Sequence, residues 1–320
     1  MEKKEWSVMI ATIKKREISE IGIKYGFFFF LVTILQIGMA KAASFRKDLI
    51  SEEGQLILAY VILILSTYVI GYPVLNLLLK TPKEQKENNK LGTSGFIKGL
   101  FCMFGIMLMG VVIGQVLNKS ICFFMNISSE SSDAAQRILD INPIYSAITV
   151  GILGPVFEEL IFRKKLIDCT IKYGKGVAIL SSGLFFGLFH TSIPQFFYTT
   201  GVGMLYAYVY IKTGRIRYSI IYHMINNLTV SVLMVEIVKR LDALESGNMS
   251  IEMIISIALM IIICGLYFIG ALYVIKNVKR FGGIMKTHDF KGAFRILITS
   301  PGMWVYFGLC LFMIIIGYIE

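Results

Sequence analysis

Nine stretches of mainly apolar residues, each set off by polar or charged segments, dominate this chain. They lie near 25–40, 55–79, 96–117, 143–162, 176–193, 195–211, 216–238, 253–275 and 301–319. A helix needs about 20 such residues to cross roughly 30 Å of hydrocarbon. The pattern therefore predicts an all-α, polytopic transmembrane bundle of eight to nine spans. The first, fifth and sixth runs are short, and their ends are the least sharply marked. No internal period repeats, and no connection is long enough for a soluble domain. The runs group as 1–142 (three spans and their loops), 143–238 (four spans) and 239–320 (two spans).

Composition agrees with the pattern. The chain has 320 residues, 56% hydrophobic and 17% charged, with mean hydropathy +0.70. Soluble domains average about 45–50% apolar and about 25% charged. The five cysteines are scattered without a C-x-x-C pair, and four fall in or beside apolar runs, so they read as small hydrophobes. A net charge of +11 could suggest nucleic acid, but the basic residues cluster between spans, so no nucleic-acid partner is expected.

That clustering sets the orientation. The N-terminal segment to Lys24 and the loops Lys80–Lys98, Arg163–Lys175, Lys212–Arg217 and Lys276–Arg295 hold 25 of the 32 Lys and Arg. The intervening loops hold Lys41, Arg46, Lys47, Lys119, Arg137, Lys239 and Arg240. The positive-inside rule then places the N-terminus and the basic loops in the cytoplasm. Ala40–Ala43 after the first span resembles a signal-peptide cleavage site, but the 24 polar residues before that span are long for a signal sequence. The span is expected to be retained.

Charge in mid-span is rarer and more telling. Lys98, Arg217, Glu236 and Glu252 lie near span ends; what remains is Glu158 and Glu159 on the fourth run, His190 on the fifth and His223 on the seventh. His288, the third histidine, falls in a basic loop and is expected to be solvated. An ionisable group at depth costs at least about 2.5–3.5 kcal/mol on insertion scales, which makes it a functional candidate. A polar network that merely joins helices is the plainer alternative. Gly174 is the expected turn between the fourth and fifth runs, with Glu158 and His190 each sixteen residues from it, at one height in a helical hairpin. Gly214 is the next cytoplasmic turn, and Arg163–Lys165 the expected headgroup level.

Three short patterns carry the cluster: Glu158-Glu159-x-x-x-Arg163, Phe186-x-x-x-His190 and His223-x-x-x-Asn227. Glu159 and Arg163 are four apart, share a helix face and can pair, leaving Glu158 free. Pro155 clashes with the carbonyl of Gly151 and predicts a kink. Gly183 and Gly187 lie on the His190 face and let a neighbouring helix approach. Phe186 can wall a pocket, and Asn226 or Asn227 can share the His223 face.

This series on successive hydrophobic segments resembles the CPBP family, the CAAX protease and bacteriocin-processing intramembrane proteases. The resemblance covers about residues 145–235. It implies that Glu158 and His190 activate water, and that His223 and Asn227 steady the oxyanion. Glu159, Arg163, Phe186 and Asn226 would support them. One Glu and two His (Glu158, His190, His223) would also make a zinc set; the metal-free version is favoured, because it gives Asn227 a role. The expected substrate is a membrane-associated peptide or protein, in a bacterial plasma membrane, with peptide or bacteriocin processing as the setting. A non-catalytic immunity or scaffold protein and an ion-coupled transporter remain alternatives.

Overall fold

A computed structural model describes residues 2–45, 50–81, 89–127, 142–242 and 251–319, and every element among them is helical. The helices are α1 (Glu2–Ser44), α2 (Gly54–Leu78), α3 (Thr93–Met125), α4 (Pro143–Tyr173), α5 (Lys175–Phe189), α6 (Ile193–Thr213) and α7 (Ile216–Leu241), then α8 (Ile251–Lys276), α9 (Val278–Thr287), α10 (Phe290–Thr299) and α11 (Pro301–Ile319). Arg46, Lys47 and Arg137 from the outer loops, and residues 82–88 of a cytoplasmic one, lie outside the described residues.

Seven of these helices are long and apolar enough to cross a membrane: α1, α2, α3, α4, α7, α8 and α11. The protein is an integral multi-pass membrane protein. Two of the nine expected spans fall short. Helix α5 has only 15 residues, and α6 has the length but is diluted by Gln195, Thr199, Thr200 and its tyrosines. They form one hairpin and count together, so the orientation of the flanking spans is the same whether or not they cross. The basic segment expected as a loop at 276–295 is also a correction. It forms α9 and most of α10, two short helices, and α10 packs against α5.

Local sequence explains the ends. Ser51 accepts from the Gly54 N–H ahead of α2, and Asn142 accepts from the Ile144 N–H, with Pro143 opening α4. The turns expected at Gly174 and Gly214 are present, at φ +125° and +66°, which only glycine adopts without strain.

Helix α6 lies between α3 and α5, α8 packs along α3, and α1 packs along α11. At the centre, Tyr25 of α1, Phe162 of α4, Phe185 of α5 and Tyr306 of α11 are fully buried, the last two stacked at 4.3 Å. The outer faces show the reverse of a soluble surface: Ile262, Phe268, Phe312 and Ile315 are exposed, as lipid-facing residues are.

Helix α4 is not uniformly α-helical. Its turns widen to π-helical winding at Ala147–Leu153 and Leu160–Lys165, on either side of Glu158. Such bulges leave carbonyls open to outside donors. In the second bulge, Tyr25 donates to the Ile161 carbonyl at 2.7 Å and Ser182 to the Phe162 carbonyl at 2.9 Å. Arg163 is fully buried, and the helix continues to Tyr173.

Candidate active site

The first bulge ends just before Pro155. The Gly154 N–H bonds the Thr149 carbonyl five residues back, the π-helical register. In that register Pro155 would bond Val150, but proline has no N–H to give. Asn227 of α7 takes the vacant acceptor, its Nδ2 donating to the Val150 carbonyl at 2.9 Å. The expected kink at Pro155 is thus a widened turn pinned by a side chain from another helix. Asn227 Oδ1 accepts from Asn226 Nδ2 at 3.3 Å. One Asn227 amide hydrogen is committed to α4, and one remains.

The two glutamates sit in different surroundings, as their 100° separation on the helix requires. Glu159 is wholly buried and has two partners: Arg163 Nη1 at 3.2 Å and His223 Nδ1 at 3.0 Å. A carboxylate only accepts, so His223 Nδ1 carries its hydrogen there and Nε2 is turned the other way. His223 Nε2 stands 3.5 Å from Glu158 Oε2. The His223 side chain is 5% exposed and Glu158 17%. Glu158 is therefore the carboxylate that water can reach.

Aromatic rings close the site. The Arg163 guanidinium lies over the Phe186 face, 4.3 Å from its centroid, and 5.3 Å from that of Tyr206. Phe186 meets His190 and His223 edge-on at 4.8 and 5.4 Å. It is the wall the sequence suggested. The Gly183–Gly187 stripe also serves as expected. A β-carbon at Gly183 would lie 2.4 Å from Met204 Cγ, and one at Gly187 would lie 2.0 Å from Thr200 Oγ1, so α6 runs where no side chain fits.

His190 requires a correction. It is not in mid-helix but is the residue at which α5 ends, before the tight turn through Thr191 at φ +47°. Its Nδ1 is tied to the Phe186 carbonyl at 2.8 Å, which leaves Nε2 for a further partner. His190 and His223 share the Phe186 ring. The structure thus gathers His190, His223 and Arg163 around Phe186, with Glu158 and Glu159 on the two sides of His223 and Asn227 against the α4 bulge.

Sequence reasoning missed Tyr68. It lies on α2, within a third π-helical stretch (Leu65–Gly71), and its hydroxyl and the Glu158 carboxylate both lie within 4 Å of one point above Gly154. Its ring stacks on Phe157 at 4.5 Å and 9°. Nothing in a span without ionisable residues drew attention to it; the one available signal was Tyr68 and Tyr72 on a shared face in mid-span.

Glu158, His190 and His223 fit a zinc set in donor type. Both imidazoles also have Nδ1 held by an acceptor, the usual outer support of a metal-bound histidine. Among the described residues, no three His, Cys, Asp or Glu side chains stand close enough together to hold one ion.

Comparison with known proteins agrees with the motifs. Residues 140–229 match the Rce1-like family, described as type II CAAX prenyl endopeptidase Rce1-like. The matched segment holds all four residues singled out for chemistry. The chain is 27% identical over 193 residues to YdiL of Bacillus subtilis (strain 168), a candidate membrane peptidase, covering 59% of this chain and 77% of that one. It is 34% identical over 88 residues to the membrane-embedded CAAX protease MroQ of Staphylococcus aureus (strain USA300), covering 24% of this chain and 34% of MroQ. No solved structure matches. These similarities support an intramembrane protease of the CAAX type.

Proposed function

We propose that this protein is an intramembrane endopeptidase that cleaves a membrane-associated peptide or protein with water activated by Glu158. The observation that carries the reading is the pair of adjacent carboxylates split by one imidazole. Glu159 is buried and fixes His223 from behind, while Glu158, reachable by water, faces the opposite ring nitrogen. Carboxylates set in unlike environments are suited to unlike tasks.

In this reading Glu158, with His190 holding the water, removes a proton as the oxygen attacks the substrate carbonyl. The oxyanion accepts hydrogen bonds from Nε2 of His223, which donates in the imidazolium form, and from the remaining Asn227 amide hydrogen. Glu158, now a carboxylic acid, returns the proton to the departing amine as the C–N bond breaks. Two peptides result, and the residues regain their starting states. Arg163 and Glu159 do not react; they keep the His223 ring in one orientation.

A zinc ion would need Glu158, His190 and His223 drawn closer together than they stand here, and would then supply Lewis-acid polarisation. The metal-free reading is preferred because side chains already present can serve as base and oxyanion donors. The substrate is assigned by class. The family match supports a membrane-associated C-terminal segment, and peptide or bacteriocin processing is the setting that the motif resemblance implies.

The test is cleavage by purified protein in lipid nanodiscs, followed by product mass. Substrates would be a prenylated CAAX peptide and hydrophobic peptide precursors. Glu158→Gln should fold and lose cleavage by at least about a hundredfold, the scale of a lost general base. Undiminished cleavage by that variant would defeat the reading. Loss of activity in a chelator, with recovery on adding zinc, would replace the metal-free version by the metal one.

A further inference from the structure

One residue beside the proposed base, Tyr68, has no assigned role. Three observations set it apart. Its hydroxyl stands on the Glu158 side of Gly154, on a helix that contributes nothing to the matched segment 140–229. A β-carbon built on Gly154 would lie 3.8 Å from Tyr68 Oη and 3.9 Å from Glu158 Oε1, so both oxygens converge on one point of α4. The side chain is also held firmly, 5% exposed and stacked on Phe157, the residue next to Glu158.

Together these contacts restrain Glu158 from two sides, the Phe157 stack locating α2 against α4 and the hydroxyl locating the carboxylate. A carboxylate has four lone-pair positions. With Tyr68 near one and His223 Nε2 near another, Glu158 cannot rotate freely, and a water molecule is left a defined approach. The placement has a local cause. The chain at Leu65–Gly71 is wound as a π-helix, and Gly71 meets Phe28 and Val32 of α1, so α1 fixes the widened turn that carries Tyr68.

We infer that Tyr68 is a positioning residue of the peptidase, orienting the Glu158 carboxylate for attack on water from outside the family-matched core. The inference rests on the peptidase reading above. Tyr68 touches the base and not the substrate, so its loss acts on turnover and not on binding. The hydroxyl donates and, in this role, keeps its proton throughout.

The experiment compares Tyr68→Phe, Tyr72→Phe and 3,5-difluorotyrosine at position 68 with the parent, in nanodiscs, on a cleaved peptide. Tyr72 also packs edge-on against Phe157 and serves as the control. Tyr68→Phe keeps the ring stack and removes the hydroxyl beside a charged group, so kcat should fall about tenfold with KM within about twofold. Tyr72→Phe should retain parental kcat. The difluoro residue keeps the shape but alters the hydroxyl as a donor, so kcat should change while the unfolding temperature does not. Parental kcat for both position-68 variants overturns the inference, as does a loss confined to KM or to stability. If Glu158→Gln remains active, the peptidase reading has failed; if Glu158→Gln is dead and Tyr68→Phe is fully active, only the role of Tyr68 has.

Discussion

The buried Glu159–Arg163 pair allows folding and chemistry to be separated. Glu159→Gln keeps the shape of the side chain but removes the carboxylate paired with Arg163, 3.2 Å away, where both side chains are fully buried. Removing one partner of a buried ion pair typically costs about 3–5 kcal/mol, because the other charge is left uncompensated. Phe186 and Tyr206 continue to face the guanidinium, and a desolvated cation–π contact is worth about 2 kcal/mol, so the loss should sit near the lower bound. Thermal unfolding can be followed with a thiol-reactive dye, since Cys102, Cys122, Cys169 and Cys310 are buried and free. The expected fall in Tm is on the order of 10 °C. Removing both charges, as Glu159→Gln with Arg163→Met, takes away the uncompensated ion, and most of the lost stability should return. Activity should not return with it, because an amide at position 159 can no longer hold the His223 ring as the carboxylate did. The reasoning is refuted if the double variant is no more stable than Glu159→Gln, or if it regains turnover.

Three further outcomes follow from other contacts. Asn227→Leu leaves the Val150 carbonyl without its donor, at a cost of about 1–3 kcal/mol. Pro155→Ala supplies a backbone N–H, so unfolding of the double variant should show partial rescue; strictly additive losses would refute the pairing. Gly187→Leu forces a side chain against Thr200 Oγ1 and the Phe196 carbonyl, and overpacking of about 1–3 kcal/mol should appear as reduced stability and reduced turnover together. Gly308, whose β-carbon would meet nothing within 4 Å, should accept alanine with unchanged Tm and activity, as measured beside it.

Much of this protein was settled by composition and spacing. Long apolar runs with no water to satisfy their backbones can only be helices. The i, i+4 spacing of Glu159 and Arg163 placed the pair before any coordinates, and so did the glycines at the two turns. Proximity between helices was not open to the same reasoning. That His223 stands between both glutamates depends on how α4 and α7 cross, and that His190 ends its helix depends on the turn to α6. Tyr68 reaches Glu158 because α1 seats α2 at that height. The widened turns of α4 have a local seed in Pro155, but the carbonyl it leaves open is satisfied by Asn227, 77 residues onward. Hydropathy and periodicity are properties of one segment with its solvent, so the chain carries them in plain order. Contacts between segments depend on packing angles and register, which arise only once several helices compete for the same space.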